Sequence, residues 1–286
     1  MISIIICSRT PFISKDLSDN IAETIGCNFE LIIIDNSQNQ YSIFEAYNMG
    51  IKKSIGTYWC FIHDDILFQS QDWGKKVINI FDNDIQIGLI GVAGSKIKTR
   101  MPSAWWDCPD ELMVVNIIHR LQNNQKEVQC HGFNQGNYAE VSLIDGVFMA
   151  ARSNKSISFD ETLTGFHHYD LFLCLQYLKQ NLKIVVTNEV LIEHFSIGTI
   201  NKTWVASAMT FDKKYGKMLP LNTVNSCNSI ELEKIEFNNG KLFIQKLFDF
   251  KLIKTAFFIW LRLLKSKPIS KFHFEFLNLL YKRTNE

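Results

Sequence analysis

Four short apolar runs set the terms for the first hundred residues: 2–7 (ISIIIC), 30–37 (ELIIIDNS), 57–65 (TYWCFIHDD) and 87–95 (IGLIGVAGS). Runs of β-branched residues without polar alternation suit strands covered on both faces. The stretches between them carry helical signals. Residues 14–26 end at Gly26, a residue type favoured just past a helix. Residues 42–56 form a second helical stretch, and 70–84 place Trp73, Val77, Ile80 and Phe81 at helical spacing. Strand–helix alternation of this kind predicts a parallel sheet with right-handed crossovers. Such sheets bind ligands outside the carboxyl ends of their strands. Three of the runs end in polar clusters, Ser8-Arg9, Asp35-Asn36-Ser37 and His63-Asp64-Asp65. Adjacent carboxylates after an apolar strand need a neutralising partner, so these ends are the candidate site.

The rest of the chain is less regular. Residues 98–113 read as a loop carrying Trp105 and Trp106, and 125–141 as a polar, Asn/Gln/Gly-rich stretch. Residues 141–153 return to strand, 158–181 read as a loop entering a helix, and 182–196 as one or two short strands. From Gly240 onward the sequence is helical, basic and apolar, with Pro268 dividing it in two. The glycines of 88–94 lack G-x-G-x-x-G spacing, which argues against a dinucleotide fold.

The whole chain, 47% hydrophobic and 21% charged, has globular composition. Its net charge of +1 favours no class of partner, and nothing points to nucleic acid. The distribution is uneven, because residues 240–286 hold ten Lys/Arg against three Asp/Glu. The seven cysteines form no CxxC pair and several lie in apolar runs, so they read as reduced thiols of a cytoplasmic protein. The N-terminus lacks the features of a signal peptide and reads as a first strand.

Taken in order, ISIIICSR, ELIIIDNS, AYNMG, YWCFIHDD, DGVFMAAR, FHHYDLFLCLQ and EHFS resemble the GT-A glycosyltransferases, in particular the large family-two group of inverting enzymes. The resemblance covers roughly 1–215. It implies an α/β, Rossmann-like, mostly parallel sheet flanked by helices. It divides 1–220 into a nucleotide-binding half (1–97) and an acceptor-binding half (98–220), leaving 221–286 as a connector and helical extension.

His63-Asp64-Asp65 takes the place of the family's DXD motif, which implies a divalent cation, Mn2+ or Mg2+, held by Asp65, with Asp64 at the donor or the metal. A hard cation on carboxylates bridges a diphosphate and stabilises the charge of its departure. His63 departs from the pattern, and its role is open. The resemblance further implies that Asp35 accepts a hydrogen bond from the nucleotide base, with a turn role the alternative, and that Asn48 and Gly50 lie beside the base pocket, with packing alone the alternative. Ser8 and Arg9 face the same pocket, with Arg9 on phosphate, on the base, or in solvent. Asp145-Gly146 falls between donor sugar and acceptor. Asp170 matches the catalytic base, while dipole stabilisation at a helix start suits it equally. His194 is either a further metal ligand or a bystander. Trp105, Trp106, His167 and Tyr169 are candidates for the acceptor, with core packing the alternative for the tryptophans. Residues 196–204 are a candidate closing loop.

The implied activity moves a sugar from a nucleoside-diphosphate sugar, a UDP-sugar first, to a hydroxyl on a saccharide or lipid-linked saccharide, in bacterial polysaccharide assembly. Two other readings share the carboxylates: a metal-dependent nucleotidyl- or phosphotransferase, and a non-catalytic glycan-binding relative. In the tail, 252–264 is a thirteen-residue apolar run containing Lys254 and Arg262, too short for a membrane span. It suits either an interfacial helix on the inner face of the cell membrane or a helical pair packed on protein.

Overall fold

The computed structural model describes residues 1–286 apart from 122–124, 135, 197, 224 and 285–286, with backbone alone at 283–284. The chain opens as the alternation predicts: β1 (Ile2–Ser8), α1 (Lys15–Thr24), β2 (Phe29–Asp35), α2 (Ile43–Lys53) and β3 (Tyr58–Ile62). Ser14 caps α1 by accepting from the Leu17 amide, and Ser42 with Glu45 forms a capping box on α2. The third apolar run does not end at its acids, because β4 (Ile66–Phe68) follows them. Next come α3 (Trp73–Asn83), β5 (Ile87–Gly91) and β6 (Ala93–Ser95). The fourth run therefore breaks at Val92 into two strands of different sheets.

The stretch read as irregular holds three strands, β7 (Met113–Arg120), β8 (Lys126–His131) and β9 (Tyr138–Val141). The run at 141–153 is split by Asp145 into β10 (Leu143–Ile144) and β11 (Phe148–Arg152). Then follow α4 (Tyr169–Leu178), β12 (Lys183–Thr187), β13 (Ile192–His194) and α5 (Lys202–Tyr215), and three C-terminal helices, α6 (Ser229–Asp249), α7 (Ile253–Ser266) and α8 (Lys271–Thr284). Helix α5 starts inside the stretch read as a loop, and α6 starts well before Gly240.

The main sheet has seven strands in the order β2-β1-β3-β11-β5-β12-β9. β1 pairs parallel with β2 and β3, and β12 parallel with β5. β11 lies antiparallel between β3 and β5, and β9 antiparallel at the edge. The sheet is thus mostly parallel, as expected, but β3 and β5 are not neighbours. Ser8 pairs with Asp35 and Ile5 with Phe61, which aligns the polar strand ends along one edge.

A second sheet runs β10-β6-β7-β13-β4, with β8 on the other edge of β7. Gly94 permits the close approach of β6 to β10, since a Cβ there would lie 2.2 Å from the Leu143 carbonyl oxygen. This sheet brings β13 beside β4 and so sets His194 opposite Ile66, next to Asp65.

Side chains alternate along the strands and fill two cores. Ile5, Trp59 and Phe61 enter the core under α2 and α4, while Ile4, Ile6, Tyr58, Cys60 and Ile62 enter the one under α1 and α3. A third core joins Phe243, Leu247, Ile259, Leu263 and Phe276 of α6–α8 to Met101 of the 98–113 loop and to Trp204 and Val205 of α5. The C-terminal helices are therefore packed onto the α/β part of the chain. Arg262, one of the basic residues of the apolar run, donates to Asp212 of α5 at 2.7 Å, and Trp260 stacks on Phe276 at 4.8 Å. Among the described residues no helix is long and apolar enough to cross a membrane.

Candidate active site

The carboxyl ends of β1, β2 and β3 open on a cleft of about 620 Å³. Ser8, Arg9, Asn36 and Ser37 line one end, and His63, Asp64 and Asp65 the floor. The loop around Trp105, the Asp145-Gly146 corner, the start of α4 and residues 198–200 complete the wall. In the proposed closing loop, Ile197 lies outside the described residues.

The two adjacent acids have different partners. Arg9 donates to Asp64 from its backbone amide at 2.9 Å and from Nε at 3.0 Å, and its Nη2 lies 3.1 Å from Asp65 Oδ2. Asp64 is thus paired with Arg9, and it is not part of the group formed by His63, Asp65 and His194. Asp65 instead faces two imidazoles: its Oδ1 is 3.4 Å from His194 Nε2 and 3.8 Å from His63 Nδ1. His63, Asp65 and His194 form the one three-residue group suited to a metal ion among the described residues. Burial opposes ionisation of Asp65, yet the hydrogen bond and charge of His194, with His63 beside it, hold the carboxyl well below its ordinary range. Burial and the neighbouring His194 push the His63 imidazole down, which favours its neutral form. An ionised carboxylate beside neutral imidazole is the donor set a divalent transition metal takes, so these residues fit the cation.

Asp170 sits half-buried in the first turn of α4, on the cleft wall. Desolvation first, and the charge of Asp145 second, push its carboxyl up to about 7. A carboxylate tuned to this value is a better proton acceptor near neutrality than an ordinary one. Asp145 is held on both oxygens: Oδ1 accepts from the Val147 amide at 2.7 Å, and Oδ2 from Trp105 Nε1 at 2.6 Å. It thereby fixes the half-buried Trp105, and the more exposed Trp106 meets it edge-on at 5.5 Å. His167 lines the cleft, its Nε2 3.3 Å from Thr203 Oγ1. His168 packs against Trp204 and Phe211 and pairs with Ser207, and burial drives its pKa down to about 3.

Three further candidate residues have these surroundings. Asn48 does not line the cleft: its Nδ2 donates to the Phe159 carbonyl and Glu161, and its Oδ1 accepts from the Phe159 amide. It clamps the loop before α4 from behind. Asp35 lies at the strand end as expected, but exposed and outside the cleft lining, where its Oδ1 accepts from the Ser37 amide at 2.9 Å. The hydroxyl of Tyr169 is turned to the cation cluster, 2.8 Å from His63 Nε2. Gly146 matters for that placement, since a Cβ on it would fall 2.2 Å from the Tyr169 hydroxyl oxygen. Gly146→Ala is expected to destabilise the fold by about 1–3 kcal/mol through overpacking, read as a lower Tm, and to weaken cation binding with it.

The sequence reading did not mark Lys98, whose buried ammonium lines the cleft and donates to Ser103 at 2.7 Å. Burial brings its pKa down to about 8. Nor did it mark Glu193, buried beside His194 and neutralised by Arg120 and Lys126 at 2.6 and 2.8 Å. Only the alternation of β13 could have hinted that Glu193 points away from His194.

No curated protein matches the chain. Among solved structures, residues 1–349 of S. aureus TarS align over 82% of this chain and 69% of that one, at 13% identity and TM-score 0.46. The same protein in complex with UDP aligns over 83% and 70%, at 13% identity and TM-score 0.43. A family model described as "Glycosyltransferase like family" matches residues 3–218, which takes in the whole cleft from β1 through α5. On that match, the chain belongs to the glycosyltransferase-like family.

Proposed function

We propose that the chain is an inverting, metal-dependent glycosyltransferase that moves a sugar from a nucleoside-diphosphate sugar to a hydroxyl of a saccharide or lipid-linked saccharide. The observation that carries this reading is one cleft holding both a cation-competent cluster and a carboxylate with its pKa raised to about 7. Asp65 and His194 would hold Mn2+ or Mg2+, which when bound supplies positive charge to the departing diphosphate. Ser8 and Arg9 take the diphosphate and Asp35 the base, a uracil first. Asp64 keeps Arg9 aimed at the donor. Asp170 takes the proton from the acceptor hydroxyl, which attacks the anomeric carbon on the face opposite the leaving group. Trp105, fixed by Asp145, offers its ring to a sugar, with Trp106 and His167 at the rim.

A thermal-shift series of nucleotides with and without Mn2+ tests this. The expected result is a rise in Tm with one nucleoside diphosphate that requires the cation. Equal shifts with nucleoside monophosphates and no cation requirement would contradict it.

The C-terminal helices support a membrane setting for the acceptor. The outer face of α7 exposes Phe257, Phe258 and Leu261 between Lys254 and Lys265. With the excess of basic residues in 240–286, this face suits an anionic bilayer surface. Phe258→Asp with Leu261→Asp is expected to abolish co-sedimentation with phosphatidylglycerol vesicles and to leave turnover on a soluble acceptor unchanged. Binding by the wild type should weaken as salt rises.

A further inference from the structure

We propose that His63 is the third protein ligand of the cation, so that the cluster presents two imidazoles and one carboxylate and selects manganese-class transition metals over magnesium. This rests on the metal-dependent reading above and names what that reading left open. His63 occupies the motif position where the resemblance leads one to expect an acid. Its Nδ1 is 3.4 Å from His194 Nε2 and 3.8 Å from Asp65 Oδ1, and that same oxygen is 3.4 Å from His194 Nε2. A triangle with these sides has a centre roughly 2.1 Å from each corner, which is the length of a metal–imidazole bond. At 3.4 Å the two ring nitrogens stand beyond a good hydrogen bond. They are spaced as ligands of one ion.

The other nitrogen of His63 is already placed. Nε2 lies 2.8 Å from the Tyr169 hydroxyl. With its Nδ1 lone pair on the cation, the ring carries its hydrogen on Nε2 and donates it to Tyr169. Metal-binding histidines are oriented and tuned by an outer hydrogen bond of this kind. Tyr169 is held against Tyr47 at 5.5 Å and seated over Gly146, so the ring cannot swing away freely. Asp64, the other nearby carboxylate, is committed to Arg9. The donor set is therefore nitrogen-rich. Mg2+ prefers oxygen ligands and keeps its waters, whereas imidazole suits transition metals. Tyr169 also precedes Asp170, so the cation and the proposed base share one rigid turn.

The test counts the coordinated nitrogens directly. Mn2+ would be titrated into the metal-free full-length protein, with 14N spin-echo modulation of the bound ion and competition by Mg2+. The wild type is expected to show two coupled imidazole nitrogens and a clear preference for Mn2+. His63→Asp should show one nitrogen, keep Mn2+ binding, and lose much of that preference. Tyr169→Phe should keep both nitrogens and bind Mn2+ about tenfold more weakly. A single coupled nitrogen in wild type that persists in His63→Asp would overturn the inference while leaving the cation at Asp65 and His194. No specific Mn2+ binding by wild type would overturn both.

Discussion

Asp170→Asn is expected to lower turnover by about 10²- to 10⁴-fold, the range a positioned general base contributes. The substitution keeps the shape of the side chain and removes only its ability to accept a proton. The pH profile separates this from a folding defect. With the carboxyl at about 7, the wild-type rate should fall as pH drops below 7, because the base is then protonated. The asparagine variant should lose that limb. Stability should move the other way. A carboxyl whose pKa is raised on folding binds its proton more tightly in the native state. The native state therefore loses stability as pH rises from the ordinary carboxylate range to about 7. Asp170→Asn removes that loss, so its Tm at pH 8 should exceed that of wild type. An inactive but more stable variant is the signature of a group kept for chemistry at the expense of the fold. Equal activity in the two proteins would assign Asp170 to the helix dipole alone.

Asp65→Asn is expected to be the second large effect, about 10²- to 10³-fold in turnover, the scale of losing one charge-stabilising group. The loss should come with loss of Mn2+ binding by calorimetry. His194 and His63 remain, but imidazole ligands bring no negative charge to replace the carboxylate's. Because His194 and His63 hold Asp65 below the ordinary carboxylate range despite its burial, it stays ionised across the working pH. The acid limb of the profile is therefore not that of Asp65, and its loss in Asp170→Asn is what assigns it to Asp170. Asp64→Asn should behave differently, weakening donor affinity by freeing Arg9 while cation binding persists.

The parallel start of the fold was legible because β-branched runs and capped helices alternate without ambiguity through α3. Strand direction and neighbour order were not. The run 148–152 reads the same whether it lies parallel or, as here, antiparallel between β3 and β5, since side-chain alternation carries no sense of direction. β8 was missed because it is an exposed strand whose residues are mostly polar, and it therefore lacks the apolar face that marks a strand in sequence. At the site, the polar strand ends were legible as a set, since ligands collect there on physical grounds. The contacts of Asn48 with Phe159 and Glu161 were not legible, because a buried amide satisfied by a loop looks in sequence like one that serves a ligand. His63 stayed open because its partners, Tyr169 and His194, are 106 and 131 residues away. The second sheet brings His194 to it by laying β13 against β4, and the start of α4 brings Tyr169.

Transfer of a sugar by this cleft differs from transfer of a phosphoryl or nucleotidyl group in its leaving group. The most direct measurement is the identity of what leaves when the protein is incubated with a panel of nucleotide-sugars, Mn2+ and a saccharide acceptor. The expected result is release of a nucleoside diphosphate that depends on the cation and is lost in both Asp65→Asn and Asp170→Asn. Release of pyrophosphate or inorganic phosphate, undiminished by Asp170→Asn, would contradict it.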